Sequence, residues 1–387
     1  MKHDFLESVL VVGAGMSGAT LARCLAEDGF PCTVVDERDH VAGNCHTEQD
    51  VESGILLHRY GPHIFHTDDD EVWRFVSRFA EFKPYRHQVM TRTGGRIFQM
   101  PITLLTINQF FGLKLSPEEA QQFIASKAIA CPNPVTFEDY ALSVVGAELY
   151  EAFLRDYTRK HWGQSPAELP ASIAKRLPIR FDYDTNYFHH TKQAMPSLGY
   201  TAMVQAMLDH PKISLQLGRP INQPESSWRH QFYTGQIDRY FDFCYGRLGY
   251  RTLDFETIRS AKTIQGTAVM NYGDMTVPWT RITEHAYLSP WALPIQNGSV
   301  AYKEYSRACG VDDIPYYPLR LVGEQVLLQK YVEKAERTRK VTFLGRLGCY
   351  AYLDMDAAIA RALEVAKIAS TNFRAKLDPP AFVHRPL

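Results

Sequence analysis

The 387-residue chain has no surplus of charge of either sign, no paired cysteine motif and no long apolar run. Its 42 lysines and arginines balance 43 aspartates and glutamates, which excludes a general electrostatic nucleic-acid binder. The seven cysteines are scattered and form no C-x-x-C pair, so we expect reduced thiols rather than a disulfide framework or a zinc site. Because no apolar stretch approaches the roughly 20 residues of a spanning helix and no signal-peptide pattern is present, we expect a cytoplasmic protein without membrane insertion.

What the chain does have is the pattern of a doubly wound α/β sheet. An apolar run at Val9–Val12 precedes a glycine turn, a segment of helical spacing over residues 17–28 and a second apolar run at Cys32–Val35. Strand, turn, helix and strand in this order predict the start of a parallel sheet. Near the other end, the pattern predicts a strand at 341–344, a turn at 345–348 and a helix at 356–369.

The middle of the chain differs in pattern from both ends. Residues 101–162 carry a helix start at Ser116 and helical spacing over 136–160, which predicts a helical insertion. Short, aromatic-rich runs, including 267–272 and His285–Leu288, predict an antiparallel sheet. We therefore predict an α/β fold with a Rossmann-like domain, a helical-bundle insertion and an antiparallel β-sheet domain. The predicted ranges are 1–85, 196–235 and 337–387 for the Rossmann-like domain, 101–168 for the insertion, and 86–100, 169–195 and 236–336 for the sheet domain.

The glycine turn carries a dinucleotide-binding signature. Gly13, Gly15 and Gly18 form a G-x-G-x-x-G motif between the predicted strand and helix, and Asp36 ends the next predicted strand. Gly13 permits a tight turn, Gly15 lets the backbone approach a pyrophosphate at the helix N-terminus, and Gly18 allows helix and strand to pack closely. The carboxylate of Asp36 is placed to accept hydrogen bonds from an adenosine ribose.

Two further segments favour FAD over NAD. The charged residues 36–39 lead into a small-residue turn that ends at Gly43 and Asn44, similar to the second phosphate-side loop of flavoproteins with a two-dinucleotide fold. The closing helix is predicted to begin near Met355 and Asp356, where its N-terminal dipole would face an electron-rich group such as the N1/O2 edge of a reduced flavin.

Taken together, motifs along the whole chain resemble the UDP-galactopyranose mutase family in its FAD-dependent, prokaryotic form. Besides residues 12–18 and 38–44, the matching segments are YGPHIFHT at 60–67, DYTRKHWG at 156–163, RLPIRF at 176–181 with NYF at 186–188, TRITEH at 280–285, YYP at 316–318 and FLGRLGCYAYLDMD at 343–356. The chain departs from the family pattern at Ala42, where a second glycine is usual, and at Cys45 and His46. We expect these departures to adjust the loop beside the pyrophosphate without abolishing FAD binding.

The resemblance implies an isomerase that interconverts UDP-galactopyranose and UDP-galactofuranose. In this family N5 of reduced FAD attacks the anomeric carbon of galactose and expels UDP, forming a covalent flavin–galactose species. UDP returns to the anomeric carbon after the sugar ring has opened and reclosed and releases the reduced flavin, so the cycle is redox-neutral overall. The product would supply cell-envelope glycans, and we expect a homodimer or higher homo-oligomer. The residues implied to bind FAD are Gly13, Gly15, Ser17, Gly18, Asp36, Glu37, Arg38, Gly43, Asn44, His63, Ile64, Arg346, Asp354, Met355, Asp356 and Ile359.

The resemblance also implies how the UDP-sugar is held. Arg176 and Arg281 match the family's two essential arginines, whose guanidinium groups suit a pyrophosphate and departing UDP, although a surface salt bridge is the alternative for either. The implied substrate-binding residues are Phe153, Tyr157, Trp162, Arg176, Tyr187, Arg251, Asn271, Arg281, Glu304, Tyr317, Tyr352 and Asp354. For Phe153, Tyr157 and Trp162 the alternative is core packing, because their spacing is close to helical.

Histidines in the matching segments are candidate metal ligands. His63 and His66 are close in sequence, but no third ligand accompanies them, so we expect no metal. The resemblance instead places His63 beside the flavin ring, as part of the catalytic set with Arg176 and Arg281. His189 and His190 are expected in a solvated loop.

Two other functions stay open on the sequence. One is a flavin oxidase of the same broad fold, such as an amine or protoporphyrinogen oxidase, and the other is a non-catalytic flavin sensor. The paired arginines and the tyrosine-rich pocket favour a nucleotide-sugar substrate over both.

Overall fold

The computed structural model describes residues 8–174, 179–220, 227–292 and 298–386, so Arg176 lies outside the described residues. Within them the strands are β1 Val9–Val12, β2 Cys32–Val35, β3 Thr47–Gln49, β4 Leu56–His58, β5 Phe65–Thr67, β6 Phe82–Pro84, β7 Val89–Thr93, β8 Arg96–Met100, β9 Lys192–Pro196, β10 Ile213–Gln216, β11 His230–Tyr233, β12 Tyr250–Ser260, β13 Val269–Tyr272, β14 Arg281–Glu284, β15 Ser299–Ala308, β16 Tyr317–Pro318 and β17 Val341–Phe343.

The helices are α1 Met16–Glu27, α2 Asp70–Val76, α3 Leu104–Phe111, α4 Pro117–Lys127, α5 Phe137–Leu149, α6 Asp156–Trp162, α7 Ala171–Ala174, α8 Gly199–Leu208, α9 Ile237–Tyr240, α10 Gln325–Glu336, α11 Gly345–Gly348 and α12 Met355–Arg374. None of the helices in the described ranges is both long and apolar enough to cross a membrane.

A parallel sheet in the order β10-β2-β1-β11-β17 forms the Rossmann-like part of the fold. Its central strands are buried along their whole length, which explains why β1 and β2 are continuous apolar runs rather than alternating ones. Helix α1 packs against α12, so the first and last helices share one layer. The predicted parallel sheet is therefore confirmed, with α12 starting one residue earlier and ending later than predicted.

A second sheet has the order β16-β12-β15-β14-β13-β7-β8. It is antiparallel as predicted, except that β13 and β7 run parallel to each other. The predicted strand at His285–Leu288 is wrong, because the chain makes a 3-10 turn there that buries His285 and Leu288 completely. Two buried positions three residues apart suit one helical turn better than a strand. The predicted turn at 345–348 is the short helix α11.

In the sequence between β8 and β9 the chain forms the predicted helices. Ser116 caps α4 through a reciprocal capping box with Glu119, as its sequence position indicated. Helix α5 contains a kink at Gly146, where φ is +74° and a Cβ atom would lie 2.7 Å from the Lys127 carbonyl oxygen. A π-helical turn, Tyr150–Arg155, then leads into α6. The assignment of these elements to three domains, of which the Rossmann-like and sheet domains are discontinuous, stays a prediction.

Candidate functional site

A deep cleft opens at the carboxyl ends of the parallel strands, where α/β folds bind their ligands. It contains about 1240 Å³ of empty space, part of which is open to solvent. Gly13 after β1, Asp36 after β2, Thr234 after β11 and Gly345 after β17 all line it. Of the sixteen residues predicted to bind FAD, those that line the cleft are Gly13, Gly15, Ser17, Gly18, Asp36, Glu37, Arg38, Gly43, Asn44, His63, Arg346, Asp354 and Met355.

Glycine is required for different structural reasons at the three positions of the motif. A Cβ atom on Gly13 would lie 1.9 Å from Oγ1 of Thr234, and one on Gly18 would lie 1.9 Å from the carbonyl oxygen of Gly13. Protein packing therefore requires glycine at both positions. At Gly15 the nearest atom to a Cβ would be Cα of Gly43 at an ordinary 3.8 Å, and φ is −79°. The protein itself does not require glycine at position 15, whereas a ligand lying against the backbone would.

The loop after β2 is held by side-chain hydrogen bonds. The Asp36 carboxylate accepts bonds from the backbone N–H groups of Ala14 at 2.7 Å and Arg38 at 3.0 Å. The Arg38 Nη2 atom donates to Oδ1 of Asn44 at 2.8 Å, and the guanidinium lies 4.8 Å from the ring centroid of Tyr60. Its Nη1 atom is buried with no hydrogen-bond partner among the described residues. A buried, unpaired guanidinium donor fits an anionic ligand such as a diphosphate.

The helix at the glycine turn also fits such an anion. Helix α1 begins after Gly15, with no side-chain cap and no acidic residue in its first turn. Its N-terminal N–H groups therefore face the cleft without a competing carboxylate on the helix. Helix α12 begins after Asp354, also without a side-chain capping bond, and places Met355 on the cleft wall. These features fit a dinucleotide with two phosphates.

Three predicted cofactor residues lie away from the cleft lining. Ile359 and Ile64 are both buried in the hydrophobic core, and Asp356 belongs to the histidine cluster described below. Conversely, the residues 234–236 and Arg239 line the cleft but were not predicted. Residues 234–236 directly follow β11, which contains histidine and glutamine, so the sequence lacks the apolar run that marked β1 and β2. Arg239 lies on the short helix α9.

A polar cluster on the other side of the site joins four predicted substrate residues. The Arg281 Nη2 atom donates to the Tyr157 hydroxyl at 2.9 Å, and that hydroxyl lies 3.5 Å from Oδ1 of Asn271. The Arg281 Nε atom lies 3.2 Å from Oε1 of the buried Glu304, yet it makes no hydrogen bond with any described residue. Helix α6 supplies Tyr157, while β13, β14 and β15 supply the other three residues.

The electrostatics of this cluster keep Arg281 charged and Tyr157 neutral. Burial lowers and the Glu304 carboxylate raises the pKa of Arg281, with a net increase. Burial raises the pKa of Tyr157 to about 12, although the Arg281 charge opposes this. Tyr157 is therefore a phenol at neutral pH and acts as a hydrogen-bond donor.

An aromatic cluster links the polar cluster to the cleft. The rings of Tyr317 and Tyr352 stack with centroids 5.7 Å apart, and Trp162 lies 6.1 Å from Tyr317. The Arg346 guanidinium lies 5.1 Å from the Tyr352 ring and lines the cleft. On the other side, His161 lies 5.1 Å from Tyr317. Aromatic faces and hydroxyl groups thus lead from the cleft toward Arg281.

The remaining predicted substrate residues support this arrangement in different ways. The Arg251 Nε atom donates to the His161 carbonyl at 3.1 Å, so Arg251 holds the end of α6. Phe153 packs against Phe98 in the core, with centroids 5.1 Å apart. Tyr187 is half-buried, and its ring lies 5.8 Å from that of His87.

The histidines are arranged differently from the sequence expectation. His63 lines the cleft, and burial together with the Arg346 charge lowers its pKa to about 4, so it is neutral at pH 7. His66 pairs instead with His190, their Nδ1 atoms 3.0 Å apart, and Asp356 completes a group whose ligand atoms lie within 4.8 Å of one another. A third potential ligand is therefore present in space. His189 is exposed and His190 is half-buried, both in the loop before β9, and the absence of a metal stays a prediction.

Comparisons with known proteins agree on one family. A family model described as UDP-galactopyranose mutase matches residues 152–352, and one described as an NAD(P)-binding Rossmann-like domain matches residues 11–79. A probable UDP-galactopyranose mutase of Klebsiella pneumoniae is 50% identical over 97% of this chain and 98% of its own. A dTDP-fucopyranose mutase of Escherichia coli is 46% identical over 95% and 99%. A crystal structure of reduced UDP-galactopyranose mutase shares the fold, with a TM-score of 0.73, 15% identity and coverage of 93% and 95%.

Proposed function

Since the chain belongs to the UDP-galactopyranose mutase family, we propose that it interconverts UDP-galactopyranose and UDP-galactofuranose. The observation that carries the proposal is the polar cluster of Tyr157, Asn271 and Arg281 next to the dinucleotide cleft. An oxidase of an amine or an apolar substrate has no need of a half-buried, charged arginine at this position. A nucleotide diphosphate supplies the anion that this arginine would bind.

Each side chain of the cluster has a role in this proposal. Arg281 binds the pyrophosphate and stabilises the charge on departing UDP, because its guanidinium stays protonated. Tyr157 and Asn271 orient the nucleotide by hydrogen bonds. Glu304 holds the Arg281 guanidinium in place by charge pairing with its Nε atom. The predicted partner Arg176 would complete the anion site, although it lies outside the described residues.

The cleft would hold FAD through the N-terminus of α1 and the loop after β2. The N–H groups at the start of α1 and the unpaired donor of Arg38 bind the diphosphate, and Asp36 binds the ribose. Reduced FAD held there would supply a nucleophilic N5 for the anomeric carbon of galactose, in a cycle without net redox change. Neutral His63 and the backbone beside it accommodate the flavin ring without adding a second positive charge near Arg346.

We also propose the setting in which the reaction takes place. A cytoplasmic location suits an enzyme that needs reduced flavin, and all seven cysteines are free thiols in the structure. The product UDP-galactofuranose would supply cell-envelope glycans. A homodimer or higher homo-oligomer stays the expected assembly.

The experiment follows sugar isomers on the reduced, FAD-loaded protein. UDP-galactofuranose and dTDP-fucofuranose are incubated separately, and pyranose and furanose forms are resolved by chromatography. Arg281→Lys keeps the charge but loses the guanidinium geometry, so kcat/KM should fall about 10- to 100-fold. Arg307→Lys is the matched control, because Arg307 lies on the same sheet but pairs with exposed carboxylates.

The wild type and the Arg307 variant should convert the UDP-sugar to its pyranose form. Conversion of the dTDP-sugar alone would assign the chain to the activity named for the Escherichia coli relative instead. No conversion of either sugar, or full activity in Arg281→Lys, would overturn the proposal.

A further inference from the structure

Helix α6 contacts the hairpin of β13 and β14 at two places. Near the strand ends, its Tyr157 hydroxyl lies 2.9 Å from Arg281 Nη2 and 3.5 Å from Asn271 Oδ1. Three residues further along the helix, Lys160 reaches the loop of the same hairpin, residues 273–280. Residues three apart project from neighbouring positions of one helix face. The helix therefore touches the proposed substrate site and the hairpin loop with one face.

The Lys160 ammonium lies among backbone carbonyl groups. It donates to the carbonyl oxygens of Tyr272, of Asp274 at 2.9 Å, and of Val277 and Trp279 at 3.1 Å each. An ammonium has three N–H donors, so four acceptors saturate it without water. Carbonyl dipoles that converge on one point repel one another unless a cation lies between them. The shape of the loop therefore depends on this side chain.

The loop that Lys160 holds is connected directly to the residues of the polar cluster. Thr280 ends the loop, and its N–H and hydroxyl groups bond Glu304 at 2.8 and 3.0 Å. The next residue is Arg281, which lies opposite Asn271 in the β13–β14 register. Burial lowers the pKa of Lys160 to about 8, against the opposing effect of Asp274, so the ammonium form prevails at pH 7.

We propose that Lys160 is a positioning residue for the UDP-sugar: it fastens the hairpin loop to α6 and so sets how Arg281 and Asn271 meet Tyr157. The inference rests on the proposed function, since it assigns this cluster to the nucleotide diphosphate. Lys160 acts through the hairpin backbone rather than through the reacting atoms. Its loss should weaken nucleotide binding more than it slows the chemical step.

The test compares Lys160→Met with the same substitution of a lysine on β15, the strand next to the hairpin. The Lys303 ammonium lies 4.9 Å from the Trp279 ring and 2.8 Å from Oε1 of Glu256, so Lys303→Met removes a lysine beside the hairpin without touching its carbonyls. UDP affinity is measured by calorimetry on the FAD-loaded protein, kcat and KM are measured on UDP-galactofuranose, and amide hydrogen exchange is followed over 273–280. Lys160→Arg tests rescue by a retained charge.

Lys160→Met should raise the Kd of UDP and the KM at least about tenfold, which corresponds to about 1.4 kcal/mol, with a smaller change in kcat. Exchange over 273–280 should accelerate, Lys160→Arg should recover part of the affinity, and Lys303→Met should match the wild type. Wild-type affinity in Lys160→Met, or an equal loss in Lys303→Met, would overturn the inference. If the methionine variant does not fold, Lys160→Gln replaces it under the same criteria.

The two proposals fail separately. UDP binding can be measured without turnover. If UDP affinity depends on Lys160 but the wild type does not isomerise the sugar, the proposed function alone is refuted. A wild type that isomerises the sugar, with UDP affinity indifferent to Lys160, would refute the positioning role alone.

Discussion

Replacing Gly15 and Gly18 by alanine separates cofactor binding from folding. At Gly15 the backbone is extended, with φ −79° and ψ −172°, and the new methyl group would lie 3.8 Å from its nearest protein neighbour. Gly15→Ala should therefore leave the free energy of unfolding of the apoprotein unchanged or raise it by about 0.4–1 kcal/mol, because alanine reduces the entropy of the unfolded chain. The same methyl group would occupy the space of a bound pyrophosphate.

At Gly18 the geometry predicts the opposite result. The methyl group would lie 1.9 Å from the Gly13 carbonyl oxygen, so α1 has to move away from β1. Overpacking of this kind costs about 1–3 kcal/mol, with more where backbone must shift, and outweighs the roughly 1 kcal/mol that alanine gains over glycine in a helix. Gly18→Ala should therefore destabilise the apoprotein itself.

The assay has two readouts on each variant. Urea unfolding of the apoprotein, followed by tryptophan fluorescence, gives the free energy of unfolding, and quenching of flavin fluorescence gives the FAD affinity. Gly15→Ala should weaken FAD binding at least about tenfold, or about 1.4 kcal/mol, with no loss of apoprotein stability. Normal FAD affinity in Gly15→Ala, or equal destabilisation by both substitutions, would refute this division of roles.

Two further predictions concern stability. Burial lowers the pKa of His87, His161, His230 and His285 to about 3, so the unfolded chain binds more protons than the folded one below pH 6.5, and stability should fall by about 2 kcal/mol per such histidine between pH 7 and pH 5. Equal urea midpoints at the two pH values would contradict this. The fully buried Glu284 accepts bonds from three backbone N–H groups of residues 264–266 and from the Ser299 hydroxyl. Glu284→Gln turns an amide donor toward these donors and should cost about 2–3 kcal/mol in urea unfolding, whereas a change under 0.5 kcal/mol would count against it.

The structural features that were predicted correctly are determined by residues adjacent in sequence. The turn at Gly13, the strand at Cys32–Val35 and the cap at Ser116 each follow from a few adjacent residues, and the structure contains all three. The helical turn at His285–Leu288 was missed because its burial depends on contacts with β15 and with β4, where His58 is 227 residues away from His285.

In the functional site, too, residues in local motifs could be predicted, whereas residues brought together by the fold could not. The cleft glycines and Asp36 could be predicted from a local motif, whereas residues 234–236 reach the cleft only because β11 pairs with β1. The group of His66, His190 and Asp356 comes from three separate segments, so spacing along the chain gave no signal for it. Lys160 was part of a quoted motif, but its role depends on four carbonyl groups more than 110 residues away.

The measurement that tests the central claim most directly is an anaerobic incubation of the FAD-loaded protein with UDP-galactofuranose, with and without dithionite, while the flavin spectrum is recorded. We predict that UDP-galactopyranose forms over many turnovers only when the flavin is reduced, and that the flavin stays reduced throughout. Conversion that does not depend on reduction, or oxidation of one flavin for each sugar converted, would contradict a redox-neutral mutase.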